Sequence, residues 1–215
     1  KKNQWQPTAS MIGFSQEDYS TLETIKKTGG IVPDQHWEKN KEKILQAIEL
    51  TASLNIKFLT FHFGFIENSD YELREKVLFL ADVAEQNNIM ILMESGQESA
   101  ESLKEFLVKL SHPALGVNFD PANMILYDKG DPVSALETLT PWVKHIHIKD
   151  ARRSAVAGQW GDEVPWGDGD FDNYEFLKTL NRIGYQGALA IEREAGSKRL
   201  EDIQHAALSL SQFSF

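Results

Sequence analysis

The sequence predicts an α/β protein of the (β/α)8 TIM-barrel class, and three observations carry that expectation. Short β-rich runs alternate with amphipathic helical runs from end to end, which demands parallel strands joined by crossovers. Five strands end in a polar residue where the next loop begins: His62, Glu94, Asp120, His147 and Glu192. Counting back by two from these ends meets Thr60, Met90, Leu92, Gly116, Asn118, His145, Ala188 and Ala190, a mixture of large and small that suits layers inside a barrel. An open doubly wound sheet would have strands apolar on both faces. Polar groups gathered at the C-terminal ends of successive strands fit the mouth of a barrel instead.

In order, strands are expected at Ala9–Phe14, Phe58–Phe63, Ile89–Glu94, Leu115–Asp120, His145–Lys149 and Ala188–Glu192, with a short, weak one near Glu163–Trp166. Helices follow apolar residues at i, i+3, i+4 spacing. Ile44, Ala47, Ile48 and Ala52 mark the first, and Leu73, Val77, Leu80, Ala81 and Ala84 the second. Leu103, Phe106, Leu107 and Leu110 mark the third. Phe176, Leu180 and Ile183 mark another, and Ile203, Ala207 and Leu210 the last. Ser69 in "SDYEL" is the expected cap of one helix; Asp131 in "GDPVSAL" caps another, with Pro132 at its first position. Seven strands can be counted where a barrel needs eight, and the chain begins just before one of them. The expectation is a single domain over residues 1–215 that lacks the first βα unit at its N-terminus; a natural seven-stranded or incomplete barrel is the alternative.

Composition narrows the function. With 215 residues, 41% hydrophobic and 25% charged, the chain can bury a substantial core. A net charge of −10, with no block of like charges, repels phosphate backbones, so no nucleic-acid partner is expected. No apolar run reaches the roughly 18 residues a membrane span requires. There is no cysteine, so any metal must be held by His and carboxylates. The chain opens on Lys1-Lys2 without a start Met or signal peptide, which leaves localisation open between cytoplasm and periplasm. A homo-oligomer is likewise left open, because nothing in the sequence separates an exposed helix face from an interface.

The polar strand ends carry the chemistry. Taken singly, a strand-end acid serves as readily as a helix cap or ion-pair partner, and a lone His as a hydrogen-bonded core residue. Glu94, Asp120, His147 and Glu192 are separated by 26, 27 and 45 residues. The first two intervals equal one βα repeat each, and the third suits two repeats with a short strand between. All four would then project into one mouth. Three carboxylates and an imidazole converging there repel unless a cation sits among them. Mixed oxygen and nitrogen ligands suit one divalent ion, Mn2+, Co2+, Mg2+ or Zn2+. His145 lies one layer deeper than His147 and reads as a buried, hydrogen-bonded residue. His36, His112 and His205 read as structural.

The segments "ILMESGQESAESL", "GVNFDPANMILYDKGDP", "HIHIKDARR", "PWGDGDFDNYEFLKTLNRIGYQG" and "LAIERE" resemble the sugar phosphate isomerase/epimerase family, the xylose isomerase-like barrels. The resemblance runs from about Met11 to Ala207. It implies one divalent metal held by Glu94 at the end of the fourth barrel strand, Asp120 at the fifth, His147 at the sixth and Glu192 at the eighth. It also implies a keto-sugar or polyol-derived ketone as substrate. Proton abstraction then gives an enediolate stabilised by the metal, with Glu94 and Glu192 as the two catalytic acids acting from opposite sides. His62, Asn123, Lys149, Arg153, Trp160 and Trp166 are the candidate substrate contacts. Of these, Arg153 matches an epimerase arginine, and the two tryptophans would wall the sugar pocket. Many relatives carry His where this chain has Asn123, an amide that can hydrogen-bond hydroxyls but is a poor metal ligand. The group's nucleases need additional metal-binding histidines that this chain lacks. A dehydratase of the inosose type and a non-catalytic sugar-binding barrel are the competing readings. Phosphorylation of the substrate is not decided by the sequence.

Overall fold

The computed structural model describes residues 6–156 and 159–213. Its frame is one curled sheet of six parallel strands, a half-barrel in the order β1 (Ser10–Met11), β2 (Phe58–Phe61), β3 (Met90–Glu94), β4 (Leu115–Phe119), β5 (Val143–Ile148) and β8 (Leu189–Ile191). Helices return the chain between them: α1 (Leu22–Thr28), α2 (Trp37–Ser53), α3 (Tyr71–Gln86), α4 (Ala100–Leu110), α5 (Pro121–Leu126), α6 (Pro132–Leu139) and α7 (Asn173–Arg182), with α8 (Arg199–Ser211) after the last strand. Between β5 and α7 the chain makes an antiparallel excursion, β6 (Asp150–Arg152) against β7 (Asp162–Val164).

Parallel pairing follows from the helices that return the chain between successive strands, and side chains alternate along each strand. Leu59, Phe61, Ile91, Met93, Val117, Phe119, Ile146 and Ile148 belong to one buried cluster with Ile44 and Ile48 of α2, Val77 and Leu80 of α3, Phe106 of α4 and Phe176 of α7. Each such large side chain contributes about 1.5–3 kcal/mol when fully buried. The alternate positions Thr60, Leu92, Asn118 and His145 are also buried, and they lead toward the strand ends. Gly116 supplies the small member of that layer: a Cβ there would come within 2.9 Å of Leu92 Cδ2 and 3.0 Å of the Trp142 carbonyl.

Three expectations are corrected. The weak strand near Glu163–Trp166 is β7, which pairs with β6 in a separate hairpin and is not a stave of the barrel. Consequently β8, which leads into Glu192, is hydrogen-bonded directly to β5; no strand intervenes between the Glu192 and His147 staves. The cap of α3 is Asp70, whose carboxylate accepts from the Leu73 amide at 2.9 Å, and not Ser69. Asp131 and Pro132 start α6 as expected. Two short helices, α1 and α5, carry too few apolar repeats to be read from periodicity.

Asp150 holds the excursion in place. Its Oδ2 accepts from the amides of Gly167 (2.9 Å) and Gly169 (3.1 Å) and from Asn173 Nδ2 (2.9 Å), while Oδ1 accepts from the Ala151 amide. The "WGDGD" stretch is thereby fixed to the end of β5 and to the start of α7.

Glu98, between β3 and α4, is buried, and burial pushes its carboxyl up to about 8, with Lys129 pulling it back in part. A carboxyl raised in the fold above its unfolded value of about 4.3 stabilises below that value and loses the contribution as pH rises through about 8. Thermal midpoints should therefore fall from about pH 5 to about pH 9, and Glu98→Gln should flatten that decline. Equal slopes for the two proteins would remove Glu98 as its source.

Candidate metal centre

Four adjacent strands deliver four ligand-bearing residues to one point. Glu94 is the last residue of β3, Asp120 follows β4, His147 lies on β5 and Glu192 follows β8. One donor atom from each lies within 4.8 Å of all the others. His147 Nδ1 faces Glu192 Oε2 at 3.0 Å, Glu94 Oε1 at 3.3 Å and Asp120 Oδ2 at 3.3 Å. Asp120 divides its carboxylate between two tasks: Oδ1 accepts from the Asn123 amide at 3.0 Å and caps α5, while Oδ2 joins the cluster. Gly96 permits the approach that α5 makes here, because a Cβ would meet Asn123 Cβ at 2.3 Å, at a φ of +126°.

The electrostatics follow from three acids around one ring. Burial opposes charge on His147, but hydrogen bonds to Asp120, Glu192 and Glu94 outweigh it and hold the imidazole well above its ordinary range. Burial likewise pushes Glu94 up, yet His62 and His147 beside it bring the carboxyl below the usual carboxylate range. Glu192 is pushed up by burial and brought down by His147 and Lys149. Both acids are therefore ionised at neutral pH. Burial disfavours the Lys149 ammonium, but Asp120, Glu192 and Glu194 together raise it far above its normal value. His145, one layer deeper, is pushed down to about 4 by burial and by His147, so it is neutral.

The residues fit a divalent cation. Glu94 Oε2 is buried with no hydrogen-bond partner among the described residues; His62 Nε2 stands 3.2 Å away, outside hydrogen-bonding geometry. An orphaned buried acceptor of this kind costs about 1–3 kcal/mol, more when charged. A single imidazole nitrogen offers at most one proton to three carboxylates, whereas a cation serves them all. Three oxygens and one nitrogen are donors for a hard or borderline ion.

Above the cluster opens a cavity of about 650 Å³. Glu94 and Glu192 line it; Asp120 and His147 do not and lie behind them. Of the expected substrate contacts, His62, Asn123, Lys149 and Trp160 line the cavity. Two expectations are corrected. Trp166 is buried in the core, edge-on to Phe171 and Phe176, because the turn that Asp150 fixes points its indole inward. Arg153 does not line the cavity: its guanidinium donates to the Gly130 carbonyl at 3.2 Å and sits 3.6 Å from Asp128 Oδ1.

Other lining residues were not singled out in the sequence: Glu17, Tyr19, Tyr127, Glu163 and Glu194. Tyr127 stands seven residues after Asp120 and four after Asn123, a helical spacing that places it on the same face of α5 and its C-cap once that helix is known. It meets Trp160 edge-to-face at 4.5 Å, forming an aromatic wall. Glu163 carries no periodic signal. It is fixed by Arg193 at 2.6 Å and by the amides of Glu194 and Ala195.

The family described as xylose isomerase-like TIM barrel matches residues 22–213. The chain is similar to the structure of a xylose isomerase domain protein from Planctomyces limnophilus at 34% identity and TM-score 0.90, covering 96% of this chain and 75% of that one. A xylose isomerase-like TIM barrel protein from Mycobacterium smegmatis, solved in complex with magnesium, shares the fold at 21% identity and TM-score 0.69, covering 94% of this chain and 72% of that one. An inosose dehydratase of Clostridium tetani is 23% identical over 158 residues, 66% of this chain and 53% of the relative. The chain spans from about a third to about half of the length of the curated relatives it matches. No helix among the described residues is long and apolar enough to cross a membrane. A match running from residue 22 to residue 213, on a curled parallel sheet with polar strand ends, shows that the chain belongs to the xylose isomerase-like TIM barrel family.

Proposed function

We propose that the protein is a metal-dependent isomerase or epimerase that moves a proton at the carbon beside the carbonyl of a neutral keto-sugar or a related polyol-derived ketone. The observation that carries this reading is the meeting of two ionised acids, Glu94 and Glu192, at the floor of one cavity from the outer two of four adjacent strands. A divalent cation held by Glu94, Asp120, His147 and Glu192 would polarise the substrate carbonyl and offset the negative charge that develops beside it. The magnesium complex of the M. smegmatis neighbour supports the presence of such an ion.

The chain's own groups do the rest. Ionised Glu94 or Glu192 takes the proton from carbon and, now protonated, gives it to the neighbouring carbon for isomerisation. For epimerisation the other acid must first take up a proton from solvent, which it then delivers to the opposite face. His62, 3.2 Å from Glu94, and Asn123, whose amide donates to Glu94 Oε1 at 3.4 Å, are placed to orient that acid and to meet sugar hydroxyls. Lys149 Nζ, 3.0 Å from Glu192 and 2.7 Å from Glu194, is a fixed positive charge that holds Glu192 ionised. Trp160 and Tyr127 offer an apolar face to a sugar ring.

The excess of acidic over basic groups at the cavity supports a neutral substrate over an anionic one. Glu17, Glu94, Asp162, Glu163, Glu192 and Glu194 line the cavity, and Lys149 is the one lysine or arginine among the described lining residues. Two of those carboxylates already engage it. At about 4 Å and an effective dielectric of about 20, each like-charge contact costs about 4 kcal/mol.

The C. tetani relative favours a second reading, loss of water from the same class of ketone. Glu94 or Glu192, protonated by the first step, would then supply the proton to the leaving hydroxyl.

Incubation with keto-sugars and inososes in D2O separates the readings. Epimerisation or isomerisation incorporates deuterium without loss of water, and dehydration gives a product lighter by one water. Glu192→Gln should lower kcat by about 10²–10⁴-fold while weakening metal binding only in part. Near-normal rates for both Glu192→Gln and Glu94→Gln would end the two-acid proposal. His147→Ala should reduce metal affinity first, with activity restored toward wild type at saturating ion; calorimetric titration gives the affinity. Among ketones of equal carbon skeleton, neutral compounds should exceed phosphorylated or carboxylated ones by about tenfold or more in kcat/KM. A preference for the anion would overturn the neutral-substrate assignment.

A further inference from the structure

The β6–β7 hairpin sets into the cavity wall a carboxylate that the chemistry above does not use. Glu163, the middle residue of β7, has a side chain only 7% exposed. Its Oε1 accepts from three donors: Arg193 Nη1 at 2.6 Å and the amides of Glu194 at 2.8 Å and Ala195 at 3.2 Å. Arg193 is held in turn, its Nη1 also donating to the Glu163 carbonyl at 3.2 Å and its Nε to Asp202 Oδ2 of α8 at 2.9 Å. Three donors on one oxygen fix the carboxyl group and leave the other oxygen one place to go.

That other oxygen, Oε2, accepts no hydrogen bond among the described residues. Its ion-pair neighbour there is Lys149 Nζ at 3.9 Å, beyond hydrogen-bond range, and that ammonium already donates to Glu192 and Glu194. Glu163 lines the cavity, so a donor for Oε2 is to be found in what the cavity holds. Lys149 also sets the scale, because its Nζ lies 3.9 Å from Glu163 Oε2 and 3.0 Å from Glu192 Oε2. No more than one ammonium's breadth parts a fixed acceptor from an acid that moves the proton, and a few carbons of a sugar span it.

We propose that Glu163 is a specificity-determining residue: its Oε2 accepts from one substrate hydroxyl, on a carbon beyond the carbonyl and the carbon that gives up its proton. This role rests on the proton-transfer reading above and adds to it the end of the substrate that does not react. A carboxylate oxygen accepts and does not donate, so the site takes a free hydroxyl and turns away a deoxy carbon or a methyl ether there. Only one oxygen is available, which gives a grip on a single hydroxyl and not on a vicinal diol. Glu163→Gln separates this role from that of an anchor. Arg193 and the two amides require an acceptor, so the amide oxygen takes the place of Oε1 and the NH2 that of Oε2. The segment after β8 keeps its anchor, while the cavity is offered a donor where it had an acceptor.

The test is steady-state kinetics of the metal-loaded protein. From a panel of ketohexoses and inososes, the ketone turned over fastest is compared with its monodeoxy analogues, each lacking one hydroxyl beyond the reacting carbons. For wild type, one analogue should fall about 10–100-fold in kcat/KM, chiefly through KM, because the contact is present before and during proton transfer. Glu163→Gln should lose about tenfold or more with the parent ketone, and removing that hydroxyl should then cost it little further. Glu163→Asp keeps the charge and withdraws Oε2 from the cavity; it should show the same selective loss, and it serves where Glu163→Gln does not fold. Losses shared equally by the parent and every analogue would leave Glu163 an anchor only and overturn the specificity role. Parent kinetics in Glu163→Gln within about twofold of wild type would overturn it too. If wild type loaded in turn with Mn2+, Co2+, Mg2+ and Zn2+ turned over no ketone of the panel, the proton-transfer reading would fall and this role with it.

Discussion

Three carboxylates cannot be buried around one point without positive charge among them. Glu94, Asp120 and Glu192 reach within 3.3 Å of a single nitrogen of His147, at side-chain exposures of 2%, 0% and 22%. Everything nearby answers that repulsion. His147 is driven toward its charged form, His62 stands against Glu94, and Lys149 is caught between Glu192 and Glu194. A site this loaded with acid stores electrostatic cost in the fold, and proteins carry such cost where function needs it.

The frame makes the convergence attainable. Parallel register carries β3, β4, β5 and β8 to their ends side by side, so four residues far apart in sequence arrive together without long reaches of side chain. Apolar side chains on alternate positions lock that register, since a slip of one residue would turn each ligand away from the mouth. The helix α5 adds a second constraint. Because Asp120 caps it, the ligand carboxylate is oriented by a backbone amide, and Asn123 and Tyr127 are brought over the cluster by the same turn of helix.

Much of this was legible in the sequence. Strand-end polarity and near-equal spacing place Glu94, Asp120 and His147 correctly, since each follows from a period of two within strands and one repeat between them. Glu192 was legible as a residue but not in its position, because the 45-residue interval contains a hairpin where a repeat would put a stave. Trp166 and Arg153 show the limit of reading by proximity in sequence. Both sit in the stretch after β5, where long-range partners and not periodicity set the chain: Asp150 with Gly167 and Gly169 beside Trp166, and Asp170 and Gly130 for Arg153. Glu163 and Tyr19 were out of reach for the same reason: their place at the cavity depends on long-range contacts. His145 was read as a buried, bonded histidine, and the bonds to Thr8 and Asn118 are those of such a residue.

The β6–β7 hairpin stands outside the hydrogen-bonded frame that aligns the ligands, yet it contributes Asp162 and Glu163 to the cavity wall. Anchored at its base and free of the sheet's register, it is a part that evolution can lengthen, shorten or recolour with little disturbance to the four strand ends. Diversity of substrate within one architecture would then be written in this excursion, while the chemistry below it stays as it is.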